Sequence, residues 1–176
     1  MRGVVFAGTA VTRPEAVGSL YRMEHGGSWS PVKGIPLDAG VQALTPHPAE
    51  GEVIFAATRV GVFRSGDAGL SWSKLNLPAD GRQFWSFAID PKNHNVMFVG
   101  SSPVGFYRSD DAGETWRRCQ CDHPERFKMT FGGSRAMKIA FHPSDSRTLY
   151  AAAEINAIGR GYSRSPRSAH GRREQE

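Results

Sequence analysis

Cysteine is scarce in this chain: only two of its 176 residues are cysteines, Cys119 and Cys121. Because they stand two positions apart, they could form only a strained disulfide, and no second pair of ligands completes a zinc site. His123 extends the run to C-x-C-x-H, a spacing that does not match a structural zinc motif. The sequence therefore predicts reduced thiols, no disulfide framework, no metal and no cofactor, with metal binding by these three residues as the alternative.

Long apolar runs are also missing. None approaches the ~20 residues that a transmembrane helix needs. The run Val4–Ala10 follows Arg2 as in a signal peptide, but it is too short for a signal-peptide core. Its segment Phe6–Thr9 instead matches the later segment Phe55–Thr58, which reads as a strand. We therefore predict no membrane span, no export and a cytoplasmic location.

Basic charge is concentrated at one end of the chain. The formal net charge is +5, and residues 159–176 hold five arginines against two glutamates. This segment is rich in Gly, Ser and Arg, which predicts a solvated, disordered tail. The rest is close to neutral, so nucleic-acid binding is not predicted.

Helical periodicity is lacking as well, and an eight-residue phrase recurs in its place. Ser65–Trp72 and Ser109–Trp116 share the pattern S-x-D-x-G-x-[ST]-W at a separation of 44 residues. A degenerate copy of the phrase ends at Trp29, 43 residues before Trp72. A fixed period of this length indicates a repeat architecture, in which each unit packs on the next.

Short apolar runs keep the same period. Each of three such runs ends at a turn, His47-Pro48, Asp90-Pro91 or His142-Pro143, and a β-rich run follows. Four strands in ~40–45 residues are the dimension of a propeller blade. We predict an all-β fold, a partial β-propeller of about three and a half four-stranded antiparallel blades. The predicted blades are residues 1–33, 41–76, 83–120 and 136–158, within an arc 1–158 that precedes the tail 159–176.

The repeated phrase has a structural explanation as a hairpin between the third and fourth strands. Short carboxylates can accept hydrogen bonds from loop N–H groups, and glycine supplies a positive φ. The tryptophans offer large faces to pack between blades. Because the same residues recur in each repeat, a structural role is favoured over catalysis or calcium binding. The predicted structural residues are Trp29, Ser65, Asp67, Gly69, Trp72, Ser109, Asp111, Gly113, Thr115 and Trp116.

With these motifs, residues 1 to about 158 resemble the Asp-box, or BNR repeat, family. That family includes sialidases, the luminal domain of sortilin, bacterial glycoside hydrolases and photosystem II assembly factors, and the chain is also similar to YVTN-type bacterial propellers. The first box, Tyr21–Trp29, is one residue short and has Glu24 where Asp is expected. The resemblance implies a propeller whose boxes lie away from the active face, but the same scaffold serves enzymes and receptors.

The repeats number fewer than the four to eight blades of a closed ring. The chain opens on the second strand of one blade, and after Ile158 the basic tail stands where a third strand is expected. We expect a truncated or frame-altered reading frame, or chains that pair to complete a ring. Open strand edges would favour self-association.

The ligand-binding face is predicted opposite the boxes. Its candidate binding residues are Arg59, Arg82, Trp85, His123, Arg126 and Arg135, and its weak candidate catalytic carboxylates are Asp80 and Glu154. The span from Trp116 to Pro143 is 27 residues, against 19 in the two earlier repeats. The extra residues, within 119–135, are either part of the binding face or a tolerated surface excursion.

The favoured function is a non-catalytic binding module for an unknown protein or glycan, or a fragment of a longer propeller. The alternative is a sialidase-like, exo-acting glycoside hydrolase. The arginine motif R-I-P of that family has no counterpart, since the nearest string, Thr12–Glu15, lacks the residue order. A third reading is an assembly factor that uses an arginine patch of Arg59, Arg82 and Arg135.

Overall fold

The computed structural model describes residues 3–10, 18–79, 81–120 and 134–154, and in these ranges the fold is entirely β. The strands are β1 (Val4–Gly8), β2 (Leu20–Glu24), β3 (Ser30–Pro31), β4 (Val41–Pro46), β5 (Ile54–Thr58), β6 (Val62–Ser65), β7 (Ser73–Lys74), β8 (Gln83–Ile89), β9 (Met97–Ser102), β10 (Gly105–Ser109), β11 (Arg117–Arg118), β12 (Arg135–Phe141) and β13 (Leu149–Glu154). The described part holds no helix that could cross a bilayer. The cytoplasmic location stays a prediction.

The strands form four antiparallel sheets in chain order. Two sheets have four strands, β4-β5-β6-β7 and β8-β9-β10-β11 in space, and each is a complete blade. The first sheet, β1-β2-β3, has three strands, and the last, β12-β13, has two. Within each sheet, every strand pairs with the strand next to it in sequence, as short connections favour. The predicted all-β partial propeller is confirmed.

The hydrophobic core lies between the sheets rather than within one of them. Strand β5 is buried along its whole length because both of its faces are covered by neighbouring sheets. One cluster joins the second and third sheets, where the rings of Phe55 and Phe87 stack at 4.6 Å. A second cluster joins the first and second sheets, and a smaller one joins the third and fourth. Each blade therefore depends on the next for burial of its apolar residues.

The three proline turns share one hydrogen-bond scheme. The Nδ1 atom of His47 accepts a bond from the amide of Glu50 at 2.9 Å, and Asp90 accepts one from the amide of Lys92 at 2.8 Å. His142 accepts two amide bonds at 3.2 Å in the corresponding turn. Histidine and aspartate are interchangeable here because both offer a short side-chain acceptor. These landmarks are turn caps.

Strands β4, β8 and β12 each carry a β-bulge near their first residues. The register shifts between Val41 and Ala43, between Phe84 and Ser86, and between Ala136 and Lys138. A bulge places one extra residue on the strand and changes where its side chain points. In the third sheet that residue is Trp85. The bulge thus orients a residue of the predicted binding face.

Two of the three box tryptophans pack between sheets, and the third does not. Trp72 and Trp116 are 6% and 8% exposed and belong to the two larger core clusters. Trp72 lies in one cluster with Leu20 of β2 and Ile35 of the connection between β3 and β4. Trp29 is 47% exposed, so the expectation that it packs between blades is wrong. Each buried tryptophan packs toward the preceding sheet, and Trp29 belongs to the first of the described sheets.

Candidate functional site

The two complete boxes are hairpins closed by a serine and an aspartate. The Ser65 hydroxyl donates to Asp67 at 2.7 Å and accepts from the amide of Gly69 at 2.8 Å. Asp67 in turn accepts from the Ser71 amide at 2.9 Å and from the Ser71 hydroxyl at 2.6 Å. The side chains of Ser65, Asp67 and Ser71 therefore bond to groups of the same loop. The carboxylate of Asp67 therefore stabilises the hairpin by accepting these hydrogen bonds.

The second box repeats this geometry. Ser109 donates to Asp111 at 2.7 Å, and Asp111 accepts from the amide of Thr115 at 2.8 Å and from its hydroxyl. Gly113 has a φ of 92°, as the turn requires, and its amide donates to Ser109 at 2.8 Å. The indole of Trp116 donates to the carbonyl of Gly113 at 3.0 Å. The tryptophan is thereby fixed to the loop that precedes it.

Sequence reasoning missed one feature of the boxes. Ala68 and Ala112 also adopt positive φ, 55° and 57°. A left-handed conformation costs a non-glycine residue about 1–2 kcal/mol. In both boxes the alanine amide donates to a carbonyl of the neighbouring turn, that of Glu52 or Asn95. The hydrogen bond to the neighbouring turn therefore holds alanine at positive φ. No residue of the box motif predicts this conformation.

The loop hydrogen bonds make the box aspartates strong acids. Bonds from the Ser71 hydroxyl and amide, followed by that from Ser65, lower the pKa of Asp67 from 3.8 to about 2. The hydroxyl and amide of Thr115, followed by Ser109, lower the pKa of Asp111 to about 2 in the same way. Hydrogen bonds to the ionised form favour it. Both carboxylates are therefore ionised throughout the physiological range.

This ionisation predicts acid sensitivity of the fold. A carboxylate with a depressed folded pKa stabilises the fold fully above its unfolded value, here 3.8, and the contribution is lost as the pH falls through about 2. We expect the urea midpoint of the wild-type chain to drop across this window. The double variant Asp67→Asn, Asp111→Asn should be less stable at neutral pH and drop less on acidification. Glu114→Gln, a change at an exposed position of the second box, serves as the control. If the urea midpoint of the double variant fell as much on acidification as that of the wild-type chain, the stabilising role of the two aspartates would be contradicted.

The opposite end of the blades presents a different set of loops. Because the strands are antiparallel, the hairpins from second to third strand and the blade-to-blade connections lie at the end away from the boxes. Arg59 stands in the hairpin between β5 and β6, and Arg82 stands in the blade-to-blade connection between β7 and β8. Arg135 opens strand β12 and Glu154 closes strand β13, so they lie at this end as well. The predicted binding residues within the described ranges share one face.

Trp85, Arg135 and Glu154 form a contact cluster, here called the tryptophan–arginine cluster. The guanidinium of Arg135 lies 4.3 Å from the centroid of the Trp85 ring, within the range of a cation–π contact. Its Nη1 atom forms an ion pair with Glu154 at 3.3 Å, across the register pair of the two residues. The indole Nε1 of Trp85 is buried and bonds to no residue that the structure describes. The bulge and the strand pair bring these side chains together.

A second cluster surrounds a cavity of about 570 Å³, here called the interblade groove. It collects the cationic side chains of Arg59, Lys74 and Arg82 at the junction between the second and third sheets. Sequence reasoning named the two arginines and missed Lys74, which lies on β7 rather than in a loop. Lys74 reaches the groove because it passes over Gly61, where an added Cβ would lie 2.5 Å from its Cε atom. The groove residues are Arg59, Val60, Gly61, Val62, Lys74, Leu75, Asn76, Leu77, Ala79, Gly81, Arg82 and Phe84.

Several candidates from the sequence lie outside the described residues. They are Asp80, Cys121, His123 and Arg126, together with most of the longer loop. The proposed carboxylate pair of Asp80 and Glu154 therefore stays a prediction. Among the residues that are described, no group of three or more His, Cys, Asp or Glu side chains could hold a metal ion.

Repeated four-stranded sheets with Asp-box hairpins place this chain in the class of β-propeller proteins. Within that class, the family model Sortilin-Vps10 (sortilin, neurotensin receptor 3) matches residues 60–166, more than half of the sequence. The chain belongs to this family. The family shows the propeller architecture and leaves the ligand open. The resemblance to sialidases and the truncated reading frame stay predictions.

Individual relatives match only with part of their own length. A xyloglucanase from Hypocrea jecorina (strain QM6a) is 30% identical, over 56% of this chain and 15% of that protein. A GH74 enzyme from Niastella koreensis has a TM-score of 0.63 at 19% identity, covering 92% of this chain and 26% of that one. YCF48 from Cyanidioschyzon merolae has a TM-score of 0.57 at 17% identity, covering 87% and 45%. At these identities the solved structures show the fold alone.

Proposed function

We propose that this chain is a non-catalytic binding module that recognises a protein or glycan through the face opposite the boxes. The ion pair between Arg135 and Glu154 carries the proposal. Glu154 is the one candidate catalytic carboxylate among the described residues, and its charge is balanced by a guanidinium that itself stacks on Trp85. A glycosidase acid or nucleophile instead faces the scissile bond, with a second carboxylate ~5–10 Å away. A carboxylate engaged in this way fits a binding surface better.

The tryptophan–arginine cluster has the composition of a recognition surface. Tryptophan and arginine are the residues most enriched among those that dominate binding energy. The ion pair orders the guanidinium before a ligand arrives, which reduces the entropy lost on binding. Met137, one residue beyond Ala136 on β12, is 42% exposed and adds apolar area at the same end of that strand. Aromatic and cationic groups thus stand in contact, and exposed apolar area lies two residues along the same strand.

A second candidate function is hydrolysis of a xyloglucan-like β-glucan. The 30% identity to a fungal xyloglucanase favours it. The similarity covers only 15% of that enzyme, so most residues of the relative have no counterpart in the matched region. Under this candidate Glu154 would be the catalytic acid or base. Asp80 is the partner carboxylate that the sequence analysis named.

Incubation of the purified chain with xyloglucan and a panel of aryl glycosides separates the two candidates. We expect no release of reducing ends above the buffer rate, and no difference between the wild-type chain and Glu154→Gln. Glu114→Gln is the matched control, because it makes the same chemical change at an exposed position in a box. Turnover that Glu154→Gln abolishes and Glu114→Gln retains would overturn the binding-module proposal.

A further inference from the structure

We propose that the interblade groove binds an acidic peptide segment of a partner protein, one that alternates carboxylates with aliphatic side chains. The inference rests on the proposed function and deepens it, because it names the chemistry of a ligand for a second site on the face opposite the boxes. None of the three residues of the tryptophan–arginine cluster lines the groove. The two sites can therefore be tested separately.

The described lining of the groove is cationic, and Asp80, between the lining residues Ala79 and Gly81, lies outside the described residues. Arg59, Lys74 and Arg82 line it, and no described lining residue is acidic. The side chains of Arg59 and Lys74 form neither a hydrogen bond nor an ion pair with any described residue, unlike Arg22, Arg108, Arg117, Arg135 and Arg147. A concave surface of one charge sign concentrates its field and attracts ligands of the opposite sign. The three cations of the described lining therefore favour an anionic ligand.

One of the three cations is fixed in place before binding. Arg82 donates from Nη1 to the carbonyl of Pro103 at 2.7 Å. Arg59 stands in a hairpin closed by Thr58, whose hydroxyl donates to the carbonyl of Gly61 at 2.8 Å. The side chain of Lys74 packs directly against the backbone of Gly61. Cations held on such a frame lose less freedom when they bind carboxylates.

The apolar part of the lining decides which kind of anion fits. Val60 is 39% exposed, and Leu75 and Leu77 are half-buried, so aliphatic surface is open to a ligand. The aromatic residue of the lining, Phe84, is only 3% exposed and cannot offer its face. Nucleobases and sugar rings rely on stacking against exposed aromatic faces, whereas aliphatic side chains pack against leucine and valine. An acidic peptide with aliphatic residues is favoured over RNA and over an anionic glycan.

The size of the groove agrees with a short segment. Its volume of about 570 Å³ lies within the range of ~300–1,000 Å³ for pockets that enclose small ligands. A few residues in extended conformation would fill it. The amide side chain of Asn76, which is exposed in the same lining, offers a donor and an acceptor to a peptide backbone.

Fluorescence polarisation with a labelled peptide of alternating Leu and Glu residues tests the proposal on the whole chain. We expect saturable binding that weakens with salt, and at least about a tenfold loss of affinity in the double variant Arg59→Glu, Lys74→Glu. The control is Arg118→Glu, Lys138→Glu, which changes the net charge equally at exposed positions outside the groove. A second peptide with Gln in place of Glu should bind about tenfold more weakly or not at all. All variants should keep the wild-type thermal transition, because the four positions lie at the surface.

Three outcomes would overturn the proposal. The first is equal loss of affinity in both double variants, which would show attraction to the net charge alone. The second is no saturable binding of the acidic peptide below about 1 mM. The third is tighter binding of a heparin fragment or a short RNA than of the peptide, with the loss again confined to Arg59→Glu, Lys74→Glu. Glycosidase activity of the chain would leave each of these results unchanged, so this test and that of the proposed function fail independently.

Discussion

Replacing Trp72 by alanine is expected to lower the free energy of unfolding by about 3–5 kcal/mol, the usual cost of removing a buried tryptophan. Trp72 is 6% exposed and lies in the cluster that joins the first and second sheets. Its indole also donates to the carbonyl of Gly69 at 3.2 Å, which ties the box to the interface. Both the packing and the bond disappear in the variant. Urea unfolding followed by far-UV circular dichroism measures the effect.

Trp29 provides the matched control for this experiment. It has the same chemistry and the same position in its box, but it is 47% exposed. Trp29→Ala should therefore change the free energy of unfolding by no more than about 0.5 kcal/mol. Equal losses in the two variants would show that the tryptophans do not act by packing between sheets. A near-neutral Trp72→Ala would show that the second sheet does not rest on the first through this residue.

Replacing Gly34 by alanine is expected to cost about 2–4 kcal/mol, although it adds a single methyl group. Gly34 lies in the connection between β3 and β4 with a φ of +93°. An added Cβ would lie 2.0 Å from the carbonyl oxygen of Trp72, which cannot move away without breaking the bond from the Trp72 amide to Lys33. The substitution therefore combines backbone strain with a steric clash. Urea unfolding gives the loss directly.

Gly51 is the control for the glycine experiment. It stands in the turn between β4 and β5, and an added Cβ there would meet no atom within 4 Å. Gly51→Ala should be neutral or stabilise the chain by up to about 1 kcal/mol, because alanine restricts the unfolded state. If Gly34→Ala were equally neutral, the close crossing of the β3–β4 connection over the box would be wrong.

The fold was readable from the sequence because the same local patterns recur along the chain. The boxes follow each other at 43 and 44 residues, and a short apolar run with its proline turn precedes each complete box, so each repeat supports the interpretation of the others. The prediction that Trp29 packs between blades was wrong for a physical reason that the motif does not encode. A box motif specifies a hairpin, whereas burial of its tryptophan depends on which sheet lies beside it.

The candidate site was only partly readable, for a similar reason. Arg59, Arg82 and Arg135 were predicted because they stand at the end opposite the boxes, the first two in loops and Arg135 at the first residue of β12. Lys74 was missed because it lies on a strand, and only its passage over Gly61 brings it into the interblade groove. The contact of Arg135 with Trp85 depends on the bulge between Phe84 and Ser86. The residue pattern alone did not predict this bulge.

The sequence by itself determined the hairpins, since serine and aspartate at fixed spacing form their side-chain hydrogen bonds within one loop, and glycine supplies the positive φ of the turn. Only the tertiary structure decided which side chains meet across sheets. Such contacts join residues that are far apart in the chain, as Arg135 and Trp85 are, and their distances follow from how blades stack and where strands bulge. Hydrogen bonds within a hairpin follow from the local sequence, whereas the candidate binding surface is formed by packing between sheets.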